Sequence, residues 1–197
     1  MKNTGLIVLI VVALIAAMSF FGVIGKYNTL VNKQEAVQAE WSQVENVYQR
    51  RADLIPNLVE TVKGYANHEK GTLEAVITAR ASATQTKIDP TNMTQADIDR
   101  FSTNQNQLSQ ALGKLMVVQE AYPDLKANEN FRELQAQLEG TENRIAVERK
   151  NFNTKANDYN TYLRKFPTNI VANLFNFDKY PYFQADESAK NAPKVEF

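Results

Sequence analysis

Residues 49–58, Gln49-Arg50-Arg51-Ala52-Asp53-Leu54-Ile55-Pro56-Asn57-Leu58 (QRRADLIPNL), set two arginines and a proline inside a hydrophobic pattern that is otherwise helical. Proline is tolerated in the first turn of a helix, where its missing N–H would have no partner, and it disfavours helical geometry at the residue before it, here Ile55. The stretch therefore reads either as a turn that opens a new helix at Pro56 or as a kink in one continuous helix. The heptad-like spacing Val44, Tyr48, Arg51, Ile55, Leu58, Val62 passes through Pro56 unbroken and suits the kink. Length suits the turn: a helix running from Tyr27 through Ala66 would face a partner spanning only Thr72 to Thr86. A reversal between Asp53 and Pro56 instead yields four helices of about 27, 30, 28 and 38 residues, or about 40 to 57 Å at 1.5 Å per residue. We therefore expect the turn.

The patterns on either side supply those helices. Tyr27, Leu30, Val31, Val37, Trp41, Val44, Val47 and Tyr48 recur at spacings of three and four with polar residues between them, which is one face of an amphipathic helix. Leu58, Val59, Val62, Tyr65, Ala66, Leu73, Val76, Ile77 and Ala83 form a second run, weakened but not stopped by Gly64 and Gly71. The segment TKIDPTNMT reads as a loop. Thr94-Gln95-Ala96-Asp97 resembles a capping box and opens a third helix with Phe101, Leu108, Ala111, Leu112, Leu115, Val118 and Tyr122 on its apolar face. Pro123 and Asp124 end it, and Asn128 can cap the fourth, whose stripe is Phe131, Leu134, Leu138, Ile145, Phe152, Ala156, Tyr159, Leu163 and Phe166. Arg164 and Lys165 suit the negative end of that helix dipole, and Pro167 stops it. No segment alternates with period two for long enough to suggest a sheet. The expected fold is all-α: an antiparallel up-down four-helix bundle preceded by a single N-terminal transmembrane helix.

That transmembrane helix rests on the strongest local signal. From Leu6 to Ile24 the chain reads LIVLIVVALIAAMSFFGVI, about 19 residues without a charge, close to the ~20 needed to cross the hydrocarbon core of a bilayer. A cleaved signal peptide has a shorter apolar region ending in a small-x-small site; Ala16, Ala17 and Ser19 match that poorly, and the run continues through Phe20, Phe21, Val23 and Ile24. The expected organisation is a short tail at residues 1–5, a membrane helix at 6–25, the bundle at 26–166 and an aromatic-rich tail at 167–197. Lys2 on one side and Lys26 and Lys33 on the other nearly balance the positive-inside comparison. With Lys2 and the amino terminus crowded against the start of the span, the bundle is expected on the extracytoplasmic side of the membrane.

Composition narrows the function. Lysine plus arginine and aspartate plus glutamate both number 22 in 197 residues, so net charge is zero and the totals offer no basic face for nucleic acid. Cysteine is absent, which removes thiolate metal sites, disulfides, a cysteine nucleophile and a lipidated cysteine. The one histidine, His68, rules out the paired Glu-x-x-His pattern of two-metal bundles. A single-histidine site with Glu69 and distant carboxylates has little to recommend it over a surface histidine near a helix bend. No G-x-S-x-G, P-loop or G-x-G-x-x-G occurs. No catalytic, metal-binding or cofactor-binding residue is assigned, and no enzyme is expected.

The order of the apolar N-terminal segment, YNTLVNKQEAVQAEWSQVENVYQRRADLIPNLVETVKGYANHE, LEAVITARA, AYPDLKANENFRELQAQLEGTENRIAVERKNFN and the closing FPTNIVA resembles the LemA family of bacterial proteins across nearly the whole chain. The resemblance implies a membrane-anchored helical bundle in the bacterial inner membrane, similar to a group of magnetosome-membrane proteins. It supplies no settled activity and no catalytic residues to carry over.

One constellation in the apolar seams remains. Arg50 and Arg51 lie near the expected end of the first helix, and Glu142, Arg144, Glu148 and Arg149 lie in the fourth. An antiparallel bundle could gather Arg50, Arg51, Glu142 and Arg149 as a polar layer. Such a layer would fix helix register, or it would form a pocket in which an arginine engages a carboxylate or phosphate. After Pro167 come Phe175, Phe177, Tyr180, Tyr182, Phe183 and Phe197, too aromatic for a disordered tail. They are expected to fold back on the bundle, the alternative being anchors for another subunit or for the bilayer interface. The expected object is a membrane-anchored structural or interaction protein, with the bilayer, copies of itself and other membrane-associated proteins as partners. A sensory or small-ligand-binding module is the alternative.

Overall fold

A computed structural model describes residues 2–66 and 68–184; Phe197 and its neighbours lie outside the described residues. All regular structure among the described residues is helical: α1 (Lys2–Tyr65), α2 (Lys70–Gln85), α3 (Gln95–Val118), a 3-10 turn at Gln119–Ala121, α4 (Pro123–Ala127), α5 (Glu129–Arg164) and α6 (Thr168–Leu174).

The expected turn at Asp53 to Pro56 is not there. Helix α1 continues through Pro56 to Tyr65, and the next helix, α2, begins at Lys70. Proline in a helix interior removes the N–H that would bind the carbonyl four residues back and costs roughly 3 kcal/mol. Two features offset that cost. Ile55 just before the proline and Leu58, Val59 and Val62 beyond it are buried, and each is worth about 1.5 to 3 kcal/mol out of water. The orphaned carbonyl is that of Ala52, and it accepts a hydrogen bond at 2.8 Å from Nε of Arg80 in α2. Pro56 itself is exposed, so its ring meets solvent. As a result the second helix has 16 residues, not the roughly 30 that length matching suggested.

The other boundaries follow the expected chemistry. Thr94 caps α3 with a full capping box, its hydroxyl accepting from the Asp97 amide and the Asp97 carboxylate accepting from the Thr94 amide at 3.0 Å. Asn128 accepts from the Phe131 amide at 2.9 Å and so caps α5. The loop before α3 is tied by Asp89, which accepts from the Thr91 amide and from the Asn92 side chain, and it tucks Ile88 and Met93 inside.

The chain divides into two compact units: residues 2–39 with 154–180, and residues 40–153 with 181–184 as far as they are described. In the larger unit a continuous apolar core draws Ile55, Leu58, Val59 and Val62 from α1, Leu73 and Val76 from α2, Leu108, Leu112 and Leu115 from α3, Leu125 from α4, and Phe131 and Leu138 from α5. Above it in the sequence of α1 sits an aromatic cluster: Trp41 meets Phe101 and Phe152 edge-on at 5.4 and 5.6 Å and stacks on Phe183 at 6.0 Å, while Tyr48 meets Phe101 at 4.9 Å. In the smaller unit Leu30, Val37, Ala156, Tyr159, Leu163, Val171, Ala172 and Tyr180 are buried. Tyr27 packs against Phe175 and Phe177 with ring centroids 4.9 and 5.6 Å apart.

Part of the aromatic tail does fold back, and side-chain amides hold it. Asn160 accepts from the Tyr180 amide and donates to its carbonyl, at 2.9 and 2.8 Å, in the smaller unit. In the larger unit Asn153 does the same for Phe183, and Gln95 for Tyr182. An amide side chain can satisfy a backbone N–H and C=O together, which suits an extended segment with no neighbouring strand. Tyr180 and Phe183 are buried, whereas Phe175 is about half exposed.

The N-terminal part of α1 is different in kind. It is long and apolar enough to cross a membrane, and none of that window is buried. Every described side chain from residue 5 to residue 22 is exposed.

Candidate functional site

Arg51 is the only charged side chain that is buried among the described residues, at 1% exposure. Its position follows from the α1 period: Tyr48, Ala52, Ile55 and Leu58 share the inward face, so residue 51 must point inward too. A buried guanidinium is tolerable only with its donors occupied and its charge balanced. Nη1 donates to Ser109 Oγ at 2.9 Å and to Glu142 Oε1 at 2.7 Å. Nη2 donates to the backbone carbonyl of Gln105 at 3.3 Å and to the Gln105 side-chain oxygen. The Gln105 amide in turn donates to the Ala83 carbonyl at 3.4 Å, so α1, α2, α3 and α5 meet in this network. The guanidinium carbon lies 5.1 Å from the Tyr48 ring, and only Nε lacks a hydrogen-bond partner.

The four residues expected to form a polar layer fare differently. Arg51 and Glu142 come together as an ion pair, with Glu142 still 44% exposed on its side chain. Arg50 faces solvent. Arg149 makes no ion pair with Glu142; it donates from Nη2 to the Gln184 carbonyl at 3.0 Å and lies 4.9 Å from the Phe183 ring. Tyr48 links the two arginines electrostatically: burial raises its phenol above the usual range, against the pull of Arg149 and Arg51. Ser109 and Gln105 completed the network without any signal in the sequence that singled them out, because serine and glutamine on a helix face are ordinary surface residues until a partner is known.

Two grooves flank this network. One of about 630 Å³ lies between α3 and α5 and is lined by Ser109, Leu112, Met116, Leu138, Glu139 and Glu142 among others. The second, of about 460 Å³, includes Glu45, Tyr48, Lys87, Phe101 and Gln105. Burial pushes the Glu45 carboxyl up, with the Trp41 indole and Lys87 acting the other way. His68 is exposed beyond the end of α1, and among the described residues no three His, Asp or Glu side chains converge as a metal site would require.

Comparison with known proteins decides the relationship. The profile of the LemA family matches residues 40–197, which is most of the chain and includes both members of the ion pair. The chain belongs to the LemA family. Among curated relatives of this LemA-family chain, Magnetosome protein MamQ 2 of Paramagnetospirillum magneticum is 28% identical over 205 residues, covering 95% of the chain and 75% of the relative. Protein LemA of Metamycoplasma hominis is 26% identical over 168 residues, with 85% and 73% covered. Magnetosome protein MamQ of Magnetospirillum gryphiswaldense is 27% identical over 188 residues, with 86% and 68% covered. For a LemA-family chain so diverged from these relatives, what the site can do rests on its own geometry. A guanidinium whose Nη donors are all directed at Ser109, Gln105 and Glu142 has little capacity left to hold a ligand anion.

Proposed function

We propose that this LemA-family protein is a membrane-anchored structural and interaction protein that works without chemistry of its own. The observation that carries the reading is the exposed apolar run from Leu6 to Ile24 within α1. At about 28 Å long it is close to the ~30 Å of a hydrocarbon core. Nothing among the described residues covers it, so a bilayer is the environment that would. Anchoring confines copies to a plane, raises their effective concentration and makes weak lateral contacts productive. The helical faces then serve self-association, including coiled-coil-like contacts, and docking of other membrane-associated proteins.

The internal satisfaction of Arg51 supports a register-fixing role for the Arg51 and Glu142 pair within that scaffold. A second reading, a small-ligand module, is favoured by one observation: the groove beside Glu142 is lined by apolar Leu112, Met116 and Leu138 together with polar Ser109, Gln135 and Asn143. Extraction into a mild detergent, followed by native-size measurement and crosslinking in intact membranes, separates them. The scaffold reading expects a particle larger than one copy and lateral crosslinks. A strict monomer that binds a small molecule would replace it with the second reading. We further propose that the larger unit is extracytoplasmic; membrane-impermeant labelling of single engineered cysteines checks this without background, since the chain has none.

A further inference from the structure

We infer that α6 and the residues flanking it form a second membrane contact, an interfacial apolar foot that lies in the headgroup region beside the point where α1 leaves the bilayer. Helix α6 is two-sided: Thr168, Val171 and Ala172 are buried, while Ile170 and Leu174, one helical turn apart, are 57% and 69% exposed, and Phe166, in the turn before the helix, is 81% exposed. Phe175 continues the patch at 47%. Large apolar side chains gathered on one exposed face call for a cover.

The position of the patch says which cover. Phe175 packs on Tyr27 with ring centroids 4.9 Å apart, and Phe177 does so at 5.6 Å. Tyr27 stands three residues beyond Ile24, or about 4.5 Å along the helix past the end of the apolar run. The interfacial layer on each side of a bilayer is roughly 5 to 8 Å deep, taking half the difference between the total thickness and its hydrocarbon core. Phe175 therefore lies at headgroup level when α1 spans the membrane, with Leu174 next to it in the chain and Ile170 one turn before. Tyr27 is itself the residue type favoured at that depth. Lys26 and Lys33 lie beside Tyr162, at 5.6 and 5.8 Å from its ring, and exposed Arg164 and Lys165 precede the patch in the chain. Apolar residues flanked by basic ones are the composition of an interfacial segment.

The inference rests on the reading of residues 6–24 as a membrane span, and the test separates the two. The full chain, carrying one engineered cysteine at a time (Leu14→Cys, Glu35→Cys, Ile170→Cys or Leu174→Cys) labelled with an environment-sensitive fluorophore, is reconstituted in vesicles of phosphatidylcholine and phosphatidylglycerol. Quenching is read with a nitroxide lipid and, separately, with aqueous iodide. All four positions are exposed, so the labels leave the core intact. The expected result is lipid quenching at 14, 170 and 174 several-fold above that at 35, and iodide quenching strongest at 35. Lipid quenching at 14 with iodide-accessible labels at 170 and 174 overturns the foot and leaves the span standing. Labels at 170 and 174 shielded from both quenchers also overturn it, assigning the patch to a second copy or to residues 185–197. No lipid quenching at 14 removes the span and the foot together.

Discussion

Arg51 and Glu142 are unequal partners, and that inequality decides what each substitution should do. Arg51 has nowhere to hydrate, whereas Glu142 keeps 44% of its side chain in contact with solvent. Replacing the acid leaves a buried cation with only neutral partners; Glu142→Gln is expected to destabilise by about 1 to 2 kcal/mol, below the usual 3 to 5 for a fully buried pair because water can approach from the Glu142 side. Arg51→Met in the Glu142→Gln background should cost less than the sum of the two single changes. Urea unfolding of the four proteins in detergent checks this; equal stability of Glu142→Gln and the parent would move the pair from scaffold to ligand site. Glu45 makes a prediction of opposite sign. Its carboxyl is raised by burial, so folding favours the protonated form: that contribution is complete below the ordinary value near 4.5 and is lost as pH rises through the higher folded value. Glu45→Gln should therefore stabilise the protein at pH 7, with the gain fading toward pH 4 in thermal scans.

At the scale of helices, the Ala52 carbonyl left without a helical partner by Pro56 offers the most direct experiment. If Arg80 substitutes for the missing amide, Arg80→Met leaves the Ala52 carbonyl unpaired and costs about 1 to 3 kcal/mol. In a Pro56→Ala background the helix supplies its own donor, so the same change should cost much less; equal costs in both backgrounds would show that Arg80 acts otherwise. The tail has a comparable handle. Asn153→Ala removes both bonds to Phe183, and the Phe183 amide should exchange hydrogen roughly 5- to 30-fold faster, the equivalent of about 1 to 2 kcal/mol. These features mark the limit of what periodicity can read. Helical class, the capping box at Thr94 and the cap at Asn128 are written in local residue types, and all were legible. The continuity of α1 is also written in the unbroken spacing from Val44 to Val62, while the matching of helix lengths points the other way. What overrode the local signal was a donor 28 residues away, and no local rule reports where the Nε of Arg80 will be. The Arg51 and Glu142 meeting was legible as a pairing of types in opposed seams, whereas Ser109 and Gln105 were not, because only the tertiary arrangement distinguishes them from surface residues.

For the molecule as a whole, the proposed anchor has a free-energy margin that can be counted. Thirteen of the residues from Leu6 to Ile24 are leucine, isoleucine, valine or phenylalanine. At about −0.3 to −0.6 kcal/mol each near a helix centre they favour insertion by about 4 to 8 kcal/mol, and one central arginine opposes it by about 2.5 to 3.5 kcal/mol. Leu14→Arg alone should therefore leave the protein in the membrane fraction after alkaline carbonate washing. Val11→Arg combined with Leu14→Arg brings the sum close to zero, and a large share of the chain should be released with its helical circular-dichroism signal retained. A helix packed inside a protein would respond in another way, because one arginine in a buried core unfolds what surrounds it. Loss of helicity with the single substitution would thus mean that residues 6–24 are covered by protein. An N-terminal epitope tag retained in the membrane-bound parent excludes processing as the cause of release. The threshold between one charge and two is the quantity that a bilayer span fixes.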